Sequence, residues 1–478
     1  MIGGLRKTSA SLLAGASALG ILAFGGADAK AGTVQQLEAQ MQAMQAQMRE
    51  MQRQVNKAKA DAAAARGSSG DSIDLKVKWK GAPELSSSDG KFKFKVRGRL
   101  MVDYNSINQD RSVTGDADIN GWEARRARLG VEGTVYYDWK YKFEVDFAGG
   151  NEAEVKDAYI AYAGFSDWHN LQILMGQFKV ANSLEGMTSS RFITFMERSA
   201  FIEAFELEPR YLGVGIHAGD DHWSFQTSYN GASIEDQGDF TDDQTVYAVR
   251  GTVAPINNDT TVVHLGGSYR HRDAGTVRDS GIADLYRYRA RGADLHLADR
   301  FVDTDPLAEA DDYFGLEGAV VYNRFSVQGE WGSLDVNVPK VYRSMSPRSL
   351  NPDYEGWYVE GSVFLTDDMR NYKAKAGEFT RVKVKNPVYG GSGGWGAWQL
   401  AGRYDAVNLE SDAGPLLAAG HDCDKCGDQD TWTIGLNWLL TDYTALKFNV
   451  TGSDIGGVFN VNDGATIDGF GLRGQVDW

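Results

Sequence analysis

The sequence predicts an all-β chain, a transmembrane antiparallel β-barrel of about sixteen strands with an N-terminal α-helical coiled coil. Three observations predict it. Hydrophobicity alternates with period two from residue 73 to the end. A heptad of apolar residues precedes that region. Beyond the first residues, no run of apolar side chains is long enough for a membrane-crossing helix. The alternation is strongest in Lys91–Tyr104, where Phe92, Phe94, Val96, Leu100, Val102 and Tyr104 fall on one face. Lys91, Lys93, Lys95, Arg97 and Arg99 fall on the other. A strand with one apolar and one charged face suits a wall between lipid and a water-filled lumen. An edge strand guarded by lysines is the simpler alternative, but it accounts for one or two cations rather than five in register.

The elements follow in order. Residues 1–29 read as a signal peptide. Arg6 and Lys7 precede an apolar run from Leu12 to Phe24, and Ala27-Asp28-Ala29 fits the cleavage pattern. Residues 33–66 read as a coiled coil, with Val34, Leu37, Met41, Met44, Met48, Met51, Val55, Ala58 and Ala62 at 3-4 spacing. A single helix packed on the barrel is the alternative. The Gln-rich outer face and the Gly67-Ser68-Ser69-Gly70 stretch, inside a linker over 67–72, favour a separate oligomeric rod. The barrel then occupies 73–478. Leu75, Val77 and Trp79 alternate with Lys76, Lys78 and Lys80, a strand expected to pair with the start of the Lys91 ladder.

Further strands centre on Leu129, Phe143, Ile160, Ile173, Val214, Phe225, Val249, His264, Leu316, Val327, Val359, Leu400, Leu436, Phe448 and Leu472. Long acidic connections at 106–120, 231–243 and 408–429 contrast with short turns at Tyr137-Asp138 and Thr441-Asp442. That contrast suits long extracellular loops and short periplasmic turns. Residues 179–210 are a long connection carrying Phe192, Phe195, Met196, Phe201, Ile202 and Phe205. An apolar loop of this length is expected to fold into the lumen and narrow it. The chain ends on an amphipathic strand, with Phe470, Leu472, Val476 and Trp478 on the lipid side.

Composition bounds the function. The formal charge of −16 argues against a nucleic-acid partner. Acidic residues crowd the turn-like segments while Lys and Arg alternate along strands, so pore charge and total charge can differ in sign. Cys423 and Cys426 are the two cysteines, and in an exported protein a C-x-x-C in a loop reads as a disulfide clip. A metal site made with His421, Asp422 and Asp424 is the weaker alternative. No H-E-x-x-H or P-loop motif occurs, so no cofactor is expected. Gly390-Gly391-Ser392-Gly393-Gly394 matches G-x-S-x-G formally but sits in a glycine run between strands, which reads as a turn and not a nucleophile elbow.

The basic residues carry the functional reading. Arg126 and Arg128 share one face, as do Lys140 and Lys142. Arg287, Arg289 and Arg291 alternate, and so do Arg381, Lys383 and Lys385, near Lys373 and Lys375. In a narrow lumen with low-dielectric walls such side chains concentrate anions. The alternative is scattered charge that only keeps the lumen wet, with Asp103, Glu144 and Asp146 in its favour.

The runs Asp89–Leu100, Ala124–Leu129, Asp138–Phe143 and Met196-Glu197-Arg198 resemble the phosphate- and polyphosphate-selective porins of Gram-negative outer membranes. Val262–Gly266 and Thr433–Leu439 are similar too, and the resemblance covers about 73–478. It implies a homotrimer of sixteen-stranded barrels in outer-membrane lipid, with an arginine ladder, a constriction and a periplasmic lysine cluster. Arg99, Arg125 and Arg126 match ladder arginines, Lys140 a constriction lysine, and Arg198 and Arg250 further arginines. Lys95 matches a periplasmic lysine, and Lys383 and Lys385 fall where the family is also basic. The chain also departs from the pattern. Gly186 stands where the family has a lysine in the inward loop, and Lys156 where it has an aspartate. Arg128 and Lys179 stand where it has constriction aromatics, and Arg191 lies close enough to compensate.

The expected function is passive, anion-selective diffusion across the outer membrane, with phosphate, polyphosphate or other inorganic anions as partners and no enzymatic step. The expected anion pathway comprises Arg97, Arg99, Arg125, Arg126, Arg128, Lys140, Lys142, Lys156, Lys179, Arg191, Arg198, Arg250, Arg287, Arg289 and Arg291. The expected periplasmic cluster comprises Lys76, Lys78, Lys91, Lys93, Lys95, Lys373, Lys375, Arg381, Lys383 and Lys385. The rivals are a general or sugar porin, and a structural protein whose rod contacts the cell wall.

Overall fold

The computed structural model describes residues 75–478 except 111–114, 116, 150, 151, 166, 237, 239, 346–349 and 392. It also describes the helical positions Ala46, Arg49, Glu50, Arg53, Asn56 and Lys57. The expected signal peptide, linker and most of the expected coiled coil lie outside the described residues.

Alternating side chains make the wall. In Lys93–Gln109, Arg99, Met101, Asp103 and Asn105 are buried toward the lumen, while Leu100 and Val102 are exposed on the outside. The same pattern recurs in Ile119–Val135, Trp139–Asp146, Glu154–Phe165, Leu171–Lys179, Arg210–Gly219, Trp223–Asn230 and Thr245–Asn257. It continues in Thr261–Asp273, Ala310–Tyr322, Phe325–Asn337, Asp353–Phe364, Ala397–Asn408, Asp428–Thr441, Thr444–Gly456 and Thr466–Asp477. Each strand pairs antiparallel with the next, and Thr466–Asp477 pairs with Lys93–Gln109, with Leu472 opposite Tyr104. Sixteen strands thus close into a barrel with no free edge. The outer surface carries exposed Leu129, Phe143, Val327, Leu436 and Phe448, with aromatic clusters such as Trp398 stacked on Trp438 at 4.9 Å. Among the described residues no helix is long and apolar enough to cross a membrane. A closed ring of paired strands satisfies most of its backbone groups without any helix.

Leu75–Lys80 departs from its expected partner. It pairs with Ala82–Ser87, and that second strand pairs in turn with Lys93–Lys95. Gly81 adopts a positive φ of 77°, a left-handed conformation that allows the one-residue reversal between the two strands. The short barrel turns lie at the end shared with this hairpin and with Asp477. The three-residue turn at 136–138 is one of them, with positive φ at Tyr136 and Tyr137.

Three connections fill the lumen. Residues 180–209 cross it from Lys179 to Arg210 and are almost wholly buried. Wall side chains hold the loop by its backbone. Glu330 accepts from the amides of Leu184 and Glu185 at 2.9 and 2.7 Å, and Asp405 accepts from Ala200 at 3.0 Å. Asn437 donates to the Thr194 carbonyl, and Lys447 to the Ile193 and Phe195 carbonyls. Residues 274–309 fold in from the long-loop end, where Tyr288, Leu295, Phe301 and Val302 pack with Phe201 and Phe205 in one apolar cluster. Residues 365–396 fold in from the short-turn end. The expectation of short turns throughout that end fails here, because Phe379 packs with Leu184 and Val321 and draws the segment into the lumen. Arg370 lies over the Phe379 ring at 3.7 Å, and Arg250 donates to the Gly377 carbonyl at 2.7 Å.

Candidate functional site

The inward loop divides the lumen into two cavities. The one on the short-turn side has a volume of about 540 Å³. It is lined by Lys93, Lys95, Arg97, Arg99, Arg128, Lys140, Lys142, Lys179, Arg191, Arg198, Arg210 and Lys373. Against these twelve cations stand five carboxylates, of Glu84, Glu132, Asp157, Glu208 and Glu378. The cavity on the long-loop side holds about 310 Å³ and is lined by Arg125, Arg198 and Arg291 with Glu197, Glu203, Glu206, Glu208 and Asp294.

Strand alternation positions the first set. Arg97 and Arg99 project inward from one strand and Arg128 from the next. All three converge on Glu144, at 3.9, 3.1 and 3.4 Å. One carboxylate is thus shared by three guanidiniums, and Arg128 takes Asp146 as well, at 2.7 Å. Arg97 also reaches Glu132. Lys142 and Arg210 share Asp157 at 2.5 and 3.1 Å. Lys140 donates to the neutral amide of Gln172 at 3.2 Å.

Two β-bulges add cations that simple alternation assigns wrongly. The register slips between Met101 and Val102, which leaves Arg125 as an extra residue beside Arg126. Both consecutive arginines then reach Glu197, at 2.9 and 3.4 Å. A second slip, between Glu144 and Val145, makes Lys156 the extra residue beside Asp157, and its ammonium pairs with Glu154. Glu197 also receives Arg473 at 2.6 Å. Burial alone raises the Glu197 carboxyl, but Arg125, Arg126 and Arg473 outweigh it and hold the group well below the usual carboxylate range.

The inward loop completes the constriction. Arg198 donates to the carbonyls of Glu185 and Thr188, and its remaining nitrogen meets Glu208 at 2.7 Å. Gly186 is packed so closely that a Cβ there meets the Leu207 carbonyl oxygen at 2.5 Å and the Ser183 hydroxyl at 2.6 Å. The Lys179 ammonium arrives from the wall instead and donates to the Gly186 carbonyl at 2.5 Å. A wall cation thus sits against the backbone of Gly186.

Other expected residues lie elsewhere. Arg250 is buried in the wall behind residues 365–396 and paired with Glu317 at 2.6 Å. Arg287 bridges Asp303 and Asp305 on the long-loop side, Arg289 is exposed there, and Arg291 binds Glu203 at 3.1 Å. In the basic cluster, Lys91 pairs with Asp89 at 2.9 Å, while Lys76 and Lys78 are exposed on the hairpin. Arg381 and Arg191 both bind Asp477. Lys373 lines the 540 Å³ cavity, whereas Lys375, Lys383 and Lys385 sit on the same inward segment without lining it. The structure joins Cys423 to Cys426, with Cα atoms 5.0 Å apart.

Pattern reading passed over Glu208, Arg210, Arg403 and Arg473. Glu208-Pro209-Arg210 closes the apolar connection, and that position is the available signal. Arg403 and Arg473 are single cations on their inward strand faces, beside Asp405 and Asp477, so alternation shows no basic ladder there.

The chain is similar to known proteins. A family model described as phosphate-selective porin O and P matches residues 94–455. Porin O of Pseudomonas aeruginosa is 27% identical over 426 residues, covering 85% of this chain and 93% of that protein. An uncharacterized protein of Caulobacter vibrioides is 28% identical over 421 residues, covering 85% and 78%. Among solved structures, an anion-selective porin from Comamonas acidovorans is 14% identical with a TM-score of 0.48, covering 81% of this chain and 100% of that one. The outer-membrane channel DcaP of Acinetobacter baumannii is 13% identical with a TM-score of 0.49, covering 82% and 99%. With the family model spanning most of the barrel, the chain belongs to the phosphate-selective porin O and P family, as an outer-membrane porin.

Proposed function

We propose that this porin conducts anions, and that multivalent oxyanions bind it more tightly than monovalent ones. The observation that carries the reading is the excess of twelve cations over the five carboxylates that line the 540 Å³ cavity, an excess that stands when Glu144, Asp146 and Asp477 behind its arginines are added, in a chain whose total charge is −16. Low-dielectric walls focus that field on the lumen. Guanidinium forks suit phosphate oxygens. Ions pass between several weak sites, and this permits exit as well as capture. A lumen with cations on several strands engages more than one group of a longer anion at once. The name of the similar Porin O family supports phosphate-type anions as the class.

The test is the reversal potential of the purified protein in a KCl gradient, followed by titration of chloride current with orthophosphate, pyrophosphate and short polyphosphate. Chloride over potassium permeability, with block strengthening as the anion lengthens, is the expected result. Potassium preference removes the anion reading. Orthophosphate block equal to or stronger than pyrophosphate block removes the multivalent preference.

In the same proposal the working unit is a homotrimer in outer-membrane lipid, held in part by a periplasmic rod over residues 33–66. The rod also offers a contact to the cell wall. Deleting residues 30–70 is expected to lower the temperature at which trimers dissociate in detergent. An unchanged dissociation temperature assigns the rod no part in assembly.

A further inference from the structure

Arg198 and Glu208 are the residues that line both cavities, which places them at the boundary between the two. The two are held very differently. The Arg198 guanidinium is fixed to loop backbone, with Nε 3.0 Å from the Glu185 carbonyl and one terminal nitrogen 2.9 Å from that of Thr188. Lys179 is likewise anchored on the Gly186 carbonyl. Glu208 reaches these fixed cations from the other side, at 2.7 Å from Arg198 and 3.6 Å from Lys179. Its side chain is 40% exposed, against 6% for Arg198 and 13% for Lys179. Two fixed, nearly buried cations therefore face one carboxylate with room to move.

We propose that Glu208 is a tethered anion that occupies the Arg198–Lys179 pair at rest and is displaced by a permeating oxyanion, so that it sets how tightly the pore binds. This rests on the anion-conducting reading above. An incoming oxyanion takes the hydrogen bonds of Arg198 and Lys179, and repulsion turns the Glu208 carboxylate into the cavity. Its return speeds the ion's exit, since the competing charge is always at hand. Binding is weakened by the fraction of time the pair is already occupied.

The test uses the whole protein in planar bilayers, with inorganic phosphate as the probe and chloride current as the readout. If the carboxylate is docked about nine-tenths of the time, E208Q lowers the half-blocking phosphate concentration about tenfold. E208D keeps the charge but shortens the tether, and it is expected to tighten block by a smaller factor. E203Q removes a carboxylate from the long-loop cavity, one bound to Arg291 and Arg300, and is expected to leave block within about twofold of wild type. Unchanged or weaker block in E208Q overturns the proposal. So does tighter block in E208Q with E208D at the wild-type value, which reduces Glu208 to a general field effect. The two readings fail separately. Potassium selectivity in the wild type removes the anion pore, whereas an anion-selective wild type with an unmoved E208Q removes only the tethered anion. Glu208 is half exposed, and wild-type conductance in concentrated KCl verifies that each variant has inserted.

Discussion

The two cavities on either side of the inward loop are built from the same residue types and differ in balance. On the long-loop side three arginines meet five carboxylates in the lining: Glu197 and Glu203 each take more than one arginine, and Glu206, Glu208 and Asp294 add to the negative side. On the short-turn side three arginines share Glu144, and Lys140 has only the amide of Gln172. Arginine in a lumen therefore does not by itself make an anion site. Where carboxylates outnumber arginines the pairs hold loops in place, and where cations outnumber carboxylates the surplus supplies field. The long-loop cavity is the pinned side, where loops meet the wall, and the short-turn cavity is the electrostatic side.

The largest expected effect comes from reversing the electrostatic side. Changing Lys95, Lys140 and Lys373 together to Glu should lower the chloride to potassium permeability ratio at least about tenfold and change the sign of the reversal potential. An unchanged sign places the selectivity on the pinned side and breaks the comparison.

Unpinning is the next test. Arg403 is fully buried and binds Glu185 at 3.3 Å and the Glu197 carbonyl at 3.1 Å in the inward loop. It also binds Asp294 at 2.6 Å in the long-loop segment 274–309 and Asp405 at 3.3 Å on its own strand. R403M leaves these carboxylates without their cation, a loss of about 3–5 kcal/mol for a broken buried pair. A lower thermal dissociation temperature and a larger, noisier single-channel conductance are expected. Normal conductance shows that the loops hold their positions without this clamp.

A smaller effect depends on pH. Burial pushes the Glu185 carboxyl up to about 7, with Arg403 opposing and Glu360 reinforcing the rise. A carboxyl raised in the folded state holds its proton longer there than in the unfolded chain. Its contribution is therefore intact below about pH 4.5 and is lost as pH rises toward 7, amounting to about 3 kcal/mol. Thermal dissociation at pH 5 and pH 8 reads this, and E185Q should flatten the difference. A wild-type protein more stable at pH 8 than at pH 5 contradicts the sign.

The smallest effect belongs to the cysteines. Cys423 and Cys426 close a very short loop, for which chain entropy gives about 2 kcal/mol. The C423S/C426S double variant should leave the reversal potential unchanged and make the 409–427 connection easier to cleave with protease. A shifted reversal potential couples this loop to the field and blurs the two regions.

Much of the barrel was legible in the sequence. All sixteen expected strand centres fall inside the sixteen barrel strands, because period-two alternation is a local property that needs no partner to be read. The inward loop was legible from its aromatic residues in a connection too long and too apolar for solvent. The short second strand, Ala82–Ser87, was missed because Ala-Pro-Glu-Leu-Ser-Ser carries little alternation, and only pairing on both sides makes it a strand. The inward turn at residues 365–396 was missed because its basic residues hid an apolar anchor in Phe379.

By itself the sequence determined the strand set, the facing of each wall residue outside the bulges, and the inventory of lumen cations. Tertiary structure decided which of those cations are matched. Glu197, Glu208 and Asp294 lie on connections, and their distances to arginines depend on how loops cross the barrel rather than on any local period. Field in a lumen is a sum over charges brought together from distant segments, so it exists only once the barrel has closed and the loops have folded in.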